Sequence, residues 1–214
     1  MFLCKPDNRK WLIVTGGLLA VIITLSVILA VTLSGRASGA SGVRDPANLR
    51  QAVDSIDGIP LFTAYIPEDS TGRPGVLRTV ESITIHETAN TSEGADAEAH
   101  SDYLSTTSDE VSWHYTVDDH QIYQHLPDNE EAWHSGDREG NHSSISIELC
   151  VNADGNFDQT MENAAKLTAF LLKEYDLTID DVKQHYDFNG KDCPLIIRQE
   201  GRWDEFLGMV QQNL

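Results

Sequence analysis

A chain of 214 residues with 34 acidic against 15 basic side chains carries a formal net charge of −19 at pH 7. Nucleic-acid binding depends on Lys and Arg neutralising phosphates, so nucleic acid is a poor partner for this surface. The length accommodates one domain of ordinary size plus an appendage, and the acidity reads as solubility before it reads as recognition of a basic ligand.

The appendage comes first. "WLIVTGGLLAVIITLSVILAVTL", Trp11 to Leu33, is a run of 23 residues without an ionisable side chain. As a helix it would extend about 34 Å, enough to cross a hydrocarbon core of about 30 Å. No face of it carries a polar stripe, which argues against a helix buried in a soluble core. Lys5, Arg9 and Lys10 precede the run against only Asp7, so the amino end is expected in the cytoplasm and the rest outside. A cleaved signal peptide, whose apolar core is usually about 7 to 15 residues, is the alternative. In that case the domain would be secreted. The expected organisation is a cytoplasmic basic end and signal-anchor helix over 1–35, a linker over 36–58, and a domain over 59–214.

"SGRASGASG" has the composition of a flexible coil. "VRDPANLRQAVDSIDG" suits a short helix, with Pro46 in its first turn and Gly58 as its stop. "IPLFTAYIPEDSTGRPG" reads as extended chain ending in a turn at Pro74-Gly75. "VESITIHET" alternates as a strand, "ADAEAHSDYLSTT" suits a helix, and "SWHYTVDDHQIYQHL" reads as two strands around Asp118-Asp119-His120 without a turn glycine. "SSISIELC" alternates Ile145, Ile147 and Leu149 against Ser144, Ser146, Glu148 and Cys150, the pattern of a half-buried strand. "DQTMENAAKLTAFLLKEYD" places Met161, Ala164, Ala165, Thr168, Leu171, Leu172 and Tyr175 at helical spacing behind Asp158 as candidate N-cap. "DVKQHYDF" is a short strand. "RWDEFLGMVQQ" is a closing helix with Trp203, Phe206, Leu207 and Val210 on one face. The alternation predicts an α/β domain with a mixed central β-sheet flanked by helices and preceded by one transmembrane helix.

Chemistry concentrates in "QHYDFNGKDCP". A hydrolytic zinc site needs three protein ligands and an open fourth position. His185 and Cys193 are close enough in sequence to share an ion, and His86, near the end of a strand expected at a cleft, is the best third ligand. His100, His120 and His142 sit where solvated histidines are ordinary, while His114 and His125 suit the core. From the residues alone, Cys193 reads equally as a buried thiol, His185 as a hydrogen-bonded core residue, Glu148 as a strand residue facing water and Lys191 as a solvated loop residue. No CxxC or HExxH pattern decides between these.

"ITIHETAN", "WHYTVDD", "AWHSGD", "ISIELC" and "QHYDFNGKDCP" occur in an order and spacing that resembles the zinc-dependent N-acetylmuramoyl-L-alanine amidases of the type 2 family. These share a fold with peptidoglycan recognition proteins, and the likeness runs from Gly72 to the carboxyl end. The resemblance implies that His86, His185 and Cys193 bind Zn2+, that Glu148 is the catalytic carboxylate and that Lys191 assists the tetrahedral intermediate. Relatives place a tyrosine where this chain has Trp113, which shifts the expected burden to Glu148. Trp113, His114, Trp133, His134 and Arg138 are the expected substrate-binding side chains. The implied partner is peptidoglycan, cut between N-acetylmuramic acid and L-alanine by a domain tethered to the cell membrane; a muropeptide-binding wall sensor that does not cut is the alternative. With Cys4 ahead of the anchor, Cys150 in the core and Cys193 on metal, no disulfide is expected.

Overall fold

The computed structural model describes residues 54–214. The expected anchor, the linker and most of the expected short helix lie outside the described residues. Seven strands form one sheet in the order β1-β2-β5-β4-β6-β3-β7. They are β1 (Asp54–Ile56), β2 (Ile59–Thr63), β3 (Ser82–Glu87), β4 (Tyr115–Val117), β5 (Ile122–Gln124), β6 (Ser144–Leu149) and β7 (Val182–Gln184). β6, β3 and β7 run parallel, β4 is parallel to β6, and β4/β5 and β1/β2 are antiparallel, so the sheet is mixed as its alternating elements predict.

The first strand corrects the reading of residues 54–58 as the end of a helix. Asp57 (φ 48°) and Gly58 (φ 81°) form a two-residue turn that pairs Ile56 with Ile59. Asp-Gly is the sequence that favours such a hairpin, because both turn positions need positive φ. The domain therefore includes β1, ahead of the expected boundary at 59.

Two helices fill one face of the sheet. α3 (Phe157–Glu174) and α6 (Trp203–Asn213) bury Met161, Ala164, Ala165, Leu171, Leu172, Phe206 and Val210 against Ile83, Ile85, Ile145, Ile147 and Leu149. The N-cap of α3 is Asn156, whose side chain accepts from the Gln159 amide at 3.2 Å; Asp158, the expected cap, lies in the first turn. A carboxylate inside the first turn favours the same helix end through the dipole and leaves the capping geometry to the asparagine.

The opposite face is covered by α1 (Ala97–Thr106), α2 (Arg138–Ser143) and the chain between β5 and α2. This overturns the half-wet reading of "SSISIELC". Ser144 and Ser146 are 0 % exposed, with Thr84 Oγ1 donating to Ser144 Oγ at 2.7 Å and His114 Nδ1 2.9 Å from Ser146 Oγ. Parallel strands are covered on both faces, so here alternation separates an apolar layer from a hydrogen-bonded polar layer and does not separate inside from outside. The β4–β5 turn lacks glycine because the buried Asp118 carboxylate organises it, accepting from the amides of His120, Gln121 and Ala97 at 2.8 to 3.0 Å. His100, expected at the surface, is 8 % exposed and its Nδ1 lies 2.7 Å from the Asp96 carbonyl.

Candidate metal centre

The polar layer at the carboxyl-terminal end of β3 places His86 directly opposite Glu148 of β6 in register. His185 lies one residue beyond β7, at the start of the short helix α4 (Tyr186–Asn189), and not on the strand itself. Gly190, at φ 79°, reverses the chain after α4, and the Tyr186 amide donates to the Cys193 carbonyl at 3.1 Å, which folds the cysteine back beside His185. The side chain of Glu87 anchors this segment from the neighbouring strand position: it accepts from the Ile196 and Ile197 amides, at 2.8 and 3.0 Å, at the start of α5 (Leu195–Gln199). Strand β3 thus contributes His86 itself and, through Glu87, anchors the segment that follows Cys193.

Three donors converge. His86 Nδ1 lies 3.0 Å from His185 Nδ1 and 3.8 Å from Cys193 Sγ, and all three ligand atoms fall within 4.8 Å of one another. His86, His185 and Cys193 are 1 %, 3 % and 5 % exposed. Glu148 Oε1 stands 3.9 Å from His86 Nδ1, while its Oε2 is buried without a hydrogen-bond partner. Burial lowers the pKa of His86, with His134, His185 and Lys191 adding to the effect. It also raises the Cys193 thiol to about 12 and the Glu148 carboxyl to about 8, against the pull of Lys191. The two ring nitrogens face each other at 3.0 Å with the sulfur beside them, a spacing that lets one ion be shared by all three. Two imidazole nitrogens and a sulfur, with a bare carboxylate oxygen alongside, is a donor set that fits zinc.

Lys191, on the exposed loop before Cys193, acts electrostatically on His86, Glu148, His185 and Cys193. The expected substrate-binding residues are placed differently from one another. Trp113 is 7 % exposed, donates from Nε1 to Thr116 Oγ1 at 2.7 Å, and packs with Ile66, Leu104 and Leu126. It is a core residue. His114 is fully buried between Ser146, the Glu130 carbonyl and Arg78. Trp133 is half-buried, its amide accepted by Ser112 Oγ at 3.0 Å. His134 lies behind the site, with Nδ1 2.9 Å from His86 Nε2, and burial lowers its pKa to about 3. Arg138 is exposed and lines a cleft of about 450 Å³ with Glu81, Asp137, Glu139, His142 and Ser143. Glu81 precedes β3 whereas His86 lies near its far end, so that cleft is not the metal cluster. Asn141 and Asn189 buttress the loop carrying His134; Asn189 lies within "QHYDFNGKDCP", whereas Asn141 belongs to none of the motifs that mark the site in sequence.

The family model described as N-acetylmuramoyl-L-alanine amidase matches residues 76–195. The chain is 46 % identical over 150 residues to the N-acetylmuramoyl-L-alanine amidase XlyA of Bacillus subtilis (strain 168), which covers 69 % of this chain and 50 % of that protein. It is 41 % identical over 152 residues to the amidase CwlH of the same organism, covering 70 % and 60 %. Among solved structures, the catalytic domain of XlyA is similar with a TM-score of 0.69 and 43 % identity over 71 % of this chain and 99 % of that one. PlyL is similar with a TM-score of 0.66 and 31 % identity over 73 % and 98 %. The chain spans about half to three-fifths of the length of these two curated relatives. By the extent of these matches, it belongs to the N-acetylmuramoyl-L-alanine amidase family.

Proposed function

We propose that this chain hydrolyses the amide between the lactyl group of N-acetylmuramic acid and L-alanine in peptidoglycan, using zinc held by His86, His185 and Cys193. The observation that carries the reading is the unpartnered Glu148 Oε2 beside three converging metal donors. Zinc held there supplies Lewis acidity to an amide carbonyl and to a water molecule. Glu148, fixed on β6, accepts the proton that water loses on attacking the carbonyl carbon, and returns it to the alanine nitrogen as the C–N bond breaks. The products are a free lactyl carboxylate and a new alanine amino terminus. Lys191, whose charge acts on His86, Glu148, His185 and Cys193, donates to the carbonyl oxygen as negative charge develops there, a role worth about 3 kcal/mol for a single donor.

Incubating the full chain with purified peptidoglycan, with and without a chelator, tests this reading. New amino-terminal alanine is expected, and the chelator is expected to abolish it. Binding to the wall without new alanine termini leaves the non-cutting sensor as the function, and new termini in equal yield under chelation remove zinc from it.

We infer also that residues 11–33 tether the domain to the outer side of the cell membrane. The support is the uncharged run behind Lys5, Arg9 and Lys10, and a tether raises effective concentration at a nearby wall. Alkaline carbonate extraction is expected to leave the chain in the membrane pellet; its release into the supernatant overturns the anchor.

A further inference from the structure

We propose that the turn at His134-Ser135 selects which ring nitrogen each histidine ligand offers to the metal: His134 is a positioning residue for His86, and the Ser135 carbonyl does the same for His185. The inference rests on the metal-binding reading above. An imidazole can bind a metal only through the nitrogen that lacks a proton, and the hydrogen bond made by the other nitrogen decides which one that is.

The polarity of the chain can be followed from its far end. His134 Nε2 lies 3.2 Å from the Gly140 carbonyl, which can only accept, so that nitrogen carries the proton. Ser144 Oγ, 3.3 Å from the same nitrogen, does not compete as a donor, because it donates to the Gly140 carbonyl at 2.8 Å and itself accepts from Thr84 Oγ1. A neutral imidazole has one donor and one acceptor. His134 Nδ1 is thus the acceptor, and His86 Nε2, 2.9 Å away, donates to it. His86 Nδ1 is left bare and faces Cys193 and His185.

The second ligand is set by the next residue of the same turn. His185 Nε2 lies 2.9 Å from the Ser135 carbonyl, again acceptor-only; Asn189 Nδ2, 3.2 Å from the same nitrogen, makes its shorter contact to that carbonyl, so Nε2 donates and Nδ1 is the nitrogen left for the metal. The turn is fixed from below: Asn141 Oδ1 accepts from the amides of His134 and Ser135 at 3.0 and 2.9 Å, and Asn189 Nδ2 donates to the Ser135 carbonyl. Gly140 is required there, since a Cβ would fall 2.5 Å from Ser135 Oγ. Two ligands from different parts of the chain are oriented by two consecutive residues that belong to neither.

Zinc affinity of the full chain, read by competition with a chromogenic chelator, tests this. His134→Asn keeps an oxygen acceptor near the place of Nδ1. His134→Gln carries its polar group out to the place of Nε2 and leaves His86 Nε2–H unanswered. His134→Leu provides neither. The parent and His134→Asn are expected to bind one equivalent with affinities within a few-fold of each other, and His134→Gln and His134→Leu to bind about 10- to 100-fold more weakly. Equal affinity in all four, or an Asn variant as weak as the Leu variant, overturns the proposal. A parent chain that takes up no zinc overturns the metal reading itself. Absorption spectra of the cobalt-loaded parent and Asn variant are expected to coincide, and a changed ligand field in the Asn variant counts against the proposal.

Discussion

Replacing Glu148 with Gln is expected to lower the release of alanine amino termini by about 10²- to 10⁴-fold, the range that a positioned proton carrier contributes. The substitution keeps the shape of the side chain and removes only its ability to take up and return a proton. Glu148 Oε2 has no hydrogen-bond partner and Oε1 stands 3.9 Å from His86 Nδ1, so no contact on which the fold depends is broken. The strand beneath is anchored on both sides, paired to β3 and β4, with Ile147 and Leu149 wholly buried. The variant should therefore keep its thermal midpoint and its zinc, and both are measured alongside the rate. A variant that cuts wall at the parent rate with zinc bound removes Glu148 from the proton path. Loss of zinc together with activity would make the carboxylate a ligand instead.

Replacing Cys193 with Ser is expected to take the bound zinc from one equivalent to near zero after dialysis, and hydrolysis with it. Cys193 supplies the only anionic donor among the three converging groups. Its thiol, pushed up to about 12 by burial, would give up its proton only where a dication offsets the cost of the buried charge. A serine hydroxyl is far less acidic and would leave the ion held by two neutral imidazoles. Loss of a residue that merely orients a ligand costs about 10- to 100-fold in affinity, so loss of a ligand should reach or exceed the upper end of that range. Metal analysis of the dialysed variant checks the claim, and undiminished stoichiometry would place the ion elsewhere. Because Cys193 is a free thiol that makes no bond to Cys150, the substitution breaks no covalent link.

The strands and helices that build the site were legible where hydrophobic period was strong. The apolar alternation of Ile145, Ile147 and Leu149, and the helical spacing from Met161 to Leu172, correspond to β6 and α3, because burial against a sheet or a helix leaves a periodic trace. What covers the second face left none. Ser144 and Ser146 look solvated in sequence and are buried in a hydrogen-bonded layer with His114, just ahead of β4, and Gly140 of α2. The β1 hairpin leaves its trace in Asp57-Gly58, a pair that serves equally as a helix stop after Pro46, and only the pairing of Ile56 with Ile59 separates the two. Trp113, where relatives have a tyrosine, is buried in a smaller core with Leu104 and Leu126, a placement that residue type alone does not encode.

By itself the sequence determined which donors are present, namely His86, His185, Cys193, Glu148 and Lys191, since residue type and motif order are properties of the chain. The tertiary structure alone decided which atoms those donors present and what stands behind them. His134 lies 48 positions from His86, and Ser135 lies 50 from His185. The nitrogen a histidine offers depends on the partner of its other nitrogen, and no local pattern encodes a partner brought in from so far along the chain.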